Sequence, residues 1–194
     1  PFFTDFSTEF LIILERFSWW FHIIGIFAFL NYLVISKHLH ILFAFPNTYY
    51  ANLNPKGQLN NLESVTNEIK IMMDPNNDPY SNNEVNTVPE RFGAKDINDL
   101  NWVQILNAYT CTECGRCTSE CPANITGKKL SPRKIMMDVR DRVEEYGRNI
   151  DNKISDEKSL LNDYITTEEL WACTTCNACT EACPINIDPL SIII

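Results

Sequence analysis

The chain has 194 residues, a formal net charge of -9 and a pI near 4.8; at roughly 100 to 200 residues per domain this is room for about one domain plus an anchor, which excludes a large multidomain enzyme. Phosphate backbones are gripped by clustered Lys and Arg, so a chain this acidic is not built to hold nucleic acid. Pro1 at the start and Ile192, Ile193 and Ile194 at the end give the expectation that the sequence is an internal piece of a longer protein.

The first element is an uncharged run between Arg16 and Lys37, FSWWFHIIGIFAFLNYLVIS. Its length of about 20 residues spans roughly 30 Å of hydrocarbon at 1.5 Å per residue, which predicts a transmembrane helix. Apolar residues continue on both sides, so the expected helix starts as early as Phe10 and ends as late as Phe45, before Pro46. Trp19 and Trp20 near one end, and Tyr49 and Tyr50 beyond the other, suit the aromatic belts of a bilayer interface. Lys37 and Lys56 follow the span while Asp5, Glu9, Glu15 and Arg16 precede it, a bias that puts the C-terminal side in the cytoplasm. The competing reading is a helix buried in a soluble core.

From Asn47 to Glu90 the chain is rich in Asn, Asp and Pro, with turn signals NPKG and DPNNDPY, and reads as a linker with a short helix around Leu62 to Met72. Asp96 or Asp99 can cap a helix that runs to Ala108 on an apolar stripe of Leu100, Val103 and Leu106. Ser131 and Pro132 read as N-cap and first helical position; Ile135, Val139 and Val143 form a buried face, and Gly147 a stop. Thr166 and Glu169 form a capping box before a short helix. No alternating strand pattern competes. The expected fold is mainly α, a transmembrane helix followed by a helical domain with two metal-binding loops.

All eight cysteines fall in two groups, CTECGRCTSECP and CTTCNACTEACP. A disulfide framework would scatter them as staples between distant loops, so the clustering points to metal in a reducing compartment. Both groups read C-x2-C-x2-C-x3-C-P. Three thiolates at this spacing can wrap three corners of one cubane, and in the two-cluster pattern the fourth cysteine ligates the other cluster. Cys111, Cys114, Cys117 and Cys183 are therefore assigned to one [4Fe-4S] cluster, and Cys173, Cys176, Cys179 and Cys121 to the other. Pro122 and Pro184 redirect the chain after the fourth ligand. Gly115 and the small Ala178 leave backbone room beside the sulfurs, and Trp171 and Ile185 are expected to shield a cluster from water. Structural zinc is the rival, but zinc sites usually join two separate C-x2-C pairs rather than three cysteines of one loop.

Two such motifs separated by about fifty residues that contain a Ser-Pro-capped helix, rather than by a short gap, resemble the helical ferredoxin domain of the heterodisulfide reductase iron-sulfur subunit, and those of fumarate reductase and glycolate oxidase. The resemblance covers residues 92–194. It implies a relay to or from a soluble partner that carries the catalytic site, often a CCG-motif domain; no CCG motif occurs in this sequence. The N-terminal part resembles the last helix of the nitrate reductase gamma subunit, through His22 and the SKHLH segment that ends in His40. On one continuous helix these two histidines are about five turns and about 27 Å apart on one face. The resemblance implies that each ligates a b-type haem completed by another helix or subunit; the rival reading is a hydrogen-bonded histidine in the membrane and another at its surface.

The domain division that follows is residues 1–46 as a membrane helix, the last of a larger membrane domain; 47–91 as a polar linker; and 92–194 as a helical two-cluster domain. The expected role is an electron-transfer subunit of a membrane-bound oxidoreductase. It would sit in the cell membrane among lipid and other helices, with its cluster domain in the cytoplasm, and connect quinone or haem to a soluble partner. No nucleophile, general base or substrate pocket is evident. The alternative is a structural iron-sulfur docking module without redox turnover.

Overall fold

The computed structural model describes residues 6–55, 58, 61, 63–73 and 93–194. Lys56, residues 74–92 of the expected linker and the boundary at Phe92 lie outside them.

The apolar run folds as α1 (Thr8–Ile35), N-capped by Ser7, whose side chain accepts from Phe10 N–H. Its 28 residues reach about 42 Å at 1.5 Å per residue, enough to cross a membrane. None of its most apolar stretch is buried. The helix does not continue to Phe45. Ser36 is extended, at φ -111° and ψ 166°, and its hydroxyl accepts from His38 N–H as the cap of a new 3₁₀ turn, Lys37–Leu39. Continuing hydrophobicity hid this break; the signal was Ser36, a residue that competes for backbone hydrogen bonds.

After the break comes α2 (His40–Tyr49), which carries Pro46 in its interior rather than ending before it. Packing explains this tolerance: α2 lies along α4 (Trp102–Thr110), Asn47 is buried, and Tyr50 meets Trp102 edge-on at 4.7 Å. Tyr50 thus has an aromatic partner on α4. The expected short helix is α3 (Glu63–Met73).

The cysteine-bearing part is built around α7 (Pro132–Asn152), N-capped by Ser131 with Pro132 in its first turn, as the sequence predicts. Ile135, Met136 and Val139 are fully buried and meet Ala108, Leu130, Leu160, Ile165 and Ile187 in one core. Two expectations fail here. Val143 is only half-buried, and the neighbouring buried position belongs to Arg142. Gly147 does not stop the helix, which ends at Lys153 in the left-handed region. Arg142 is satisfied where it is buried. It donates to both Asp96 carboxylate oxygens at 2.9 and 2.7 Å, to Asp156 at 2.7 Å and to the Lys158 carbonyl at 2.6 Å, and so ties α7 to the segments on either side.

Asp96 caps the 3₁₀ turn Ile97–Asp99, while Asn101 caps α4 through a box with Gln104, a correction to the expected Asp96 or Asp99 start. The short helices are α5 (Arg116–Ser119), α6 (Pro122–Ile125), α8 (Leu160–Asp163), α9 (Thr167–Trp171), α10 (Ala178–Glu181) and α11 (Leu190–Ile193). The Thr166–Glu169 capping box of α9 is present, and Glu169 also pairs with Lys134 of α7 at 3.0 Å. Among the described residues there is no strand, only an isolated bridge from Leu161 to Ile165. The architecture is therefore helical: an apolar helix followed by a helical body with two cysteine loops.

Candidate metal centres

Helix α4 delivers the chain to the first loop, and Cys111 is its C-cap. In each loop the residues on both sides of the second cysteine are left-handed: Glu113 (φ 59°) and Gly115 (φ 84°) around Cys114, Thr175 (φ 54°) and Asn177 (φ 61°) around Cys176. The left-handed counterpart of Gly115 is thus Asn177, one of the few residue types besides glycine that tolerates this region, rather than Ala178. After these turns α5 carries Cys117 and α10 carries Cys179, and the two short helices pack against each other. Pro122 stands in the first turn of α6, with Cys121 as its N-cap.

The packing of α5 on α10 brings the two motifs together in a crossed arrangement. One cavity of about 230 Å³ is lined by Cys111, Cys114, Cys117 and Cys183. A smaller one is lined by Cys121, Cys173 and Cys176. Cys179 belongs to the wall of both. Electrostatic neighbours divide in the same way: Cys111 feels Cys117, Cys183 and Cys114, and Cys173 feels Cys121 and Cys176. All eight thiols are free.

Among the described residues no group of three or more His, Cys, Asp or Glu side chains is arranged around a single metal ion. Three cysteines of one loop beside the fourth of the other motif suit a cluster with several irons better than tetrahedral zinc, which usually joins two separate C-x2-C pairs. Backbone donors also face the sulfurs. Thr175 N–H donates to Cys173 Sγ and Ile187 N–H to Cys183 Sγ, both at 3.4 Å. Burial pushes the Cys111, Cys117 and Cys173 thiols up and the Cys179 thiol up to about 11. Such thiols give up their protons on binding metal rather than to water.

The other expected residues divide. Ile185 lines the larger cavity, and its carbonyl accepts from Asn47 Nδ2 at 2.9 Å. Trp171 is 84% exposed and lines neither cavity. His40 lines the larger cavity. Its Nδ1–H donates to the Lys37 carbonyl at 2.6 Å; the carbonyl can only accept, which assigns the proton. His22 is exposed on α1. The break at Ser36 separates them, so they do not share one face of one helix, and the five-turn spacing argument falls with it.

Sequence reasoning missed the contacts that seat the apolar segment on the first loop. Lys37 pairs with Glu113 at 3.2 Å and Arg140 of α7 pairs with the same carboxylate at 2.8 Å. Partners this distant in sequence leave no local signal. The left-handed Asn177 could have been found by aligning the two motifs residue for residue.

Comparison with known proteins agrees with this reading. Residues 110–187 match the 4Fe-4S dicluster domain. The probable iron-sulfur-binding oxidoreductase FadF of Bacillus subtilis is 30% identical over 87% of this chain and 26% of its own length. The EtfAB:quinone oxidoreductase of Syntrophomonas wolfei is 28% identical over 100% of this chain and 27% of its own. An iron-sulfur subunit of the CoB–CoM heterodisulfide reductase of Methanopyrus kandleri is 33% identical over 42% of this chain and 33% of its own. The chain spans about a quarter of the length of the first two. No solved structure matches it. Residues 110–187 are a 4Fe-4S dicluster domain whose eight cysteines suit two clusters, in a chain whose relatives are iron-sulfur oxidoreductase proteins.

Proposed function

We propose that this chain is the electron-relaying part of a membrane-bound oxidoreductase, carrying electrons between a quinone-linked membrane domain and a soluble catalytic partner. Cys111, Cys114, Cys117 and Cys183 hold one cluster, and Cys173, Cys176, Cys179 and Cys121 the other. The observation that carries this is the crossed lining of the two cavities, in which the fourth cysteine of each motif stands with the first members of the other. When bound, a [4Fe-4S] cluster supplies a one-electron carrier whose potential answers to charge, hydrogen bonds to sulfur and burial. The chain's own residues supply those influences: Thr175 and Ile187 donate to sulfur, and Met136, Ile185 and Ile187 keep water from one cavity.

The membrane part of the proposal rests on α1, of whose most apolar stretch nothing is buried among the described residues. The proposed division is 1–46 in the membrane, 47–91 as linker and 92–194 as the cluster domain, on the cytoplasmic side, where thiols stay reduced. Its first boundary falls inside α2. His22, and His40 through its Nε2, would hold haem if another helix or subunit supplied a further histidine to each.

The test uses the full-length protein in lipid vesicles under anaerobic conditions. Redox cycling by duroquinol and duroquinone is followed by electron paramagnetic resonance, with a visible spectrum for haem. Cluster signals that appear and vanish with the quinone couple are the expected result. Clusters that are present yet never change state would leave a structural docking module instead.

A further inference from the structure

The two cysteine loops share one spacing, yet their charge surroundings differ. The larger cavity is lined by two guanidinium-bearing residues, Arg116 of α5 and Arg133 of α7. Arg133 lies close over the first loop, since a Cβ built on Gly115 would meet its Nη1 at 3.8 Å. Among the described residues neither arginine has a carboxylate within ion-pair distance, which is uncommon in a chain with net charge -9. The carboxylate of this loop, Glu113, is held by two cations, Lys37 and Arg140, so it does not cancel them.

The smaller cavity has no cation in its lining: Cys121, Leu130, Pro132, Cys173, Thr174, Cys176, Asn177, Cys179, Leu190 and Ile193 are all uncharged types. The position equivalent to Arg116, second after the middle cysteine, is Ala178. Nearby lysines are spent on carboxylates, Lys129 on Glu168 and Lys134 on Asp138 and Glu169.

Reducing a cluster by one electron adds one negative charge, which a fixed positive charge nearby favours. We propose that Arg116 and Arg133 raise the reduction potential of the cluster held by Cys111, Cys114, Cys117 and Cys183 above that of its neighbour, so that an electron shared by the two rests on the side where His40 and α2 cover the loop. The two arginines are positioning residues that act on the cluster through space. This rests on the two-cluster assignment above and adds to it an inequality that the matched motifs do not predict.

The test is an anaerobic redox titration of the full-length protein, followed by electron paramagnetic resonance, for wild type, Arg116→Ala, Arg116→Lys and Arg133→Gln, with iron and sulfide measured in each. One of the two midpoints should fall in Arg116→Ala and in Arg133→Gln, by a roughly three- to tenfold loss in the equilibrium constant for reduction; tenfold corresponds to about 59 mV for one electron. The other midpoint should stay in place, Arg116→Lys should restore most of the shift, and raising the salt should shrink it because both arginines are exposed. Ala178→Arg should raise the other midpoint instead. Midpoints that do not move, or that fall together, overturn the inference while leaving the clusters assigned. A wild type without two clusters overturns the relay reading itself.

Discussion

Among the described residues the two longest helices, α1 and α7, obey opposite rules. Beyond Arg16 helix α1 is uncharged and mostly apolar on every side, and its large side chains, such as Phe21 at 70% and Phe27 at 61% exposure, face outward. Helix α7 is mostly polar, yet buries Ile135, Met136 and Val139 on one stripe. An amphipathic stripe is what a helix needs to join a water-soluble core, and a helix apolar on every side has to be covered by lipid or by other helices. On the membrane reading proposed above, the chain is stabilised in two solvents, and the joint between them is the short stretch from Ser36 to Tyr50 that seats against the first cysteine loop.

The contrast is sharpened most by removing what α7 buries against expectation. Arg142→Gln takes the buried cation away from the half-buried Asp96 carboxylate and empties its place in the core, at a cost of about 3 kcal/mol, the lower end for a broken buried pair. Urea unfolding of the metal-loaded protein should register that loss; an unchanged midpoint would mean that the three segments around Arg142 hold without it. On α1 the same kind of change has another address. Phe27→Arg should leave urea unfolding of the cluster domain unaltered, while it opposes membrane insertion by about 2.5–3.5 kcal/mol at the helix centre. Carbonate extraction of membranes reads this, and a Phe27→Arg protein that stays in the pellet would break the two-solvent account.

The smallest expected effect is in acid. Burial works to raise the Asp96 carboxyl, but hydrogen bonds from Arg142 and from the backbone of Ile97 and Leu160, with the charge of Arg142, outweigh it and hold the group below its ordinary value. A carboxylate with a lowered folded value stabilises the fold above its unfolded pKa of about 3.9, and that contribution is lost as pH falls through the folded value. Wild type should therefore exceed Asp96→Asn by about 1.5–3 kcal/mol near neutrality, with the gap narrowing below about pH 4. A gap independent of pH would remove Asp96 from the latch.

What could be read beforehand follows the range of the forces involved. The Ser131–Pro132 start, the Thr166–Glu169 box, the apolar span and the two cysteine motifs are written within a few residues of where they act. The break at Ser36 was equally local but was masked by hydrophobicity on both sides, which speaks to solvent rather than to helix continuity. Arg142 could not be read, because its partners Asp96 and Asp156 come from segments brought together only by the fold. The same holds for Glu113, which bridges Lys37 and Arg140. At the metal centres the two groups of four cysteines were legible from spacing, while the unequal charge around them became visible only once α7 laid Arg133 beside the first loop.

The central claim is that the sulfurs of the two motifs enclose two cuboidal iron-sulfur centres with exchanged fourth ligands. Iron and acid-labile sulfide measured on the anaerobically purified full-length protein, beside its Cys183→Ser variant, test it most directly. The account predicts about eight of each per chain in wild type and about four in the variant, with one cluster signal lost and the other kept. Zinc in place of iron, or fewer than about seven irons in wild type, would contradict it.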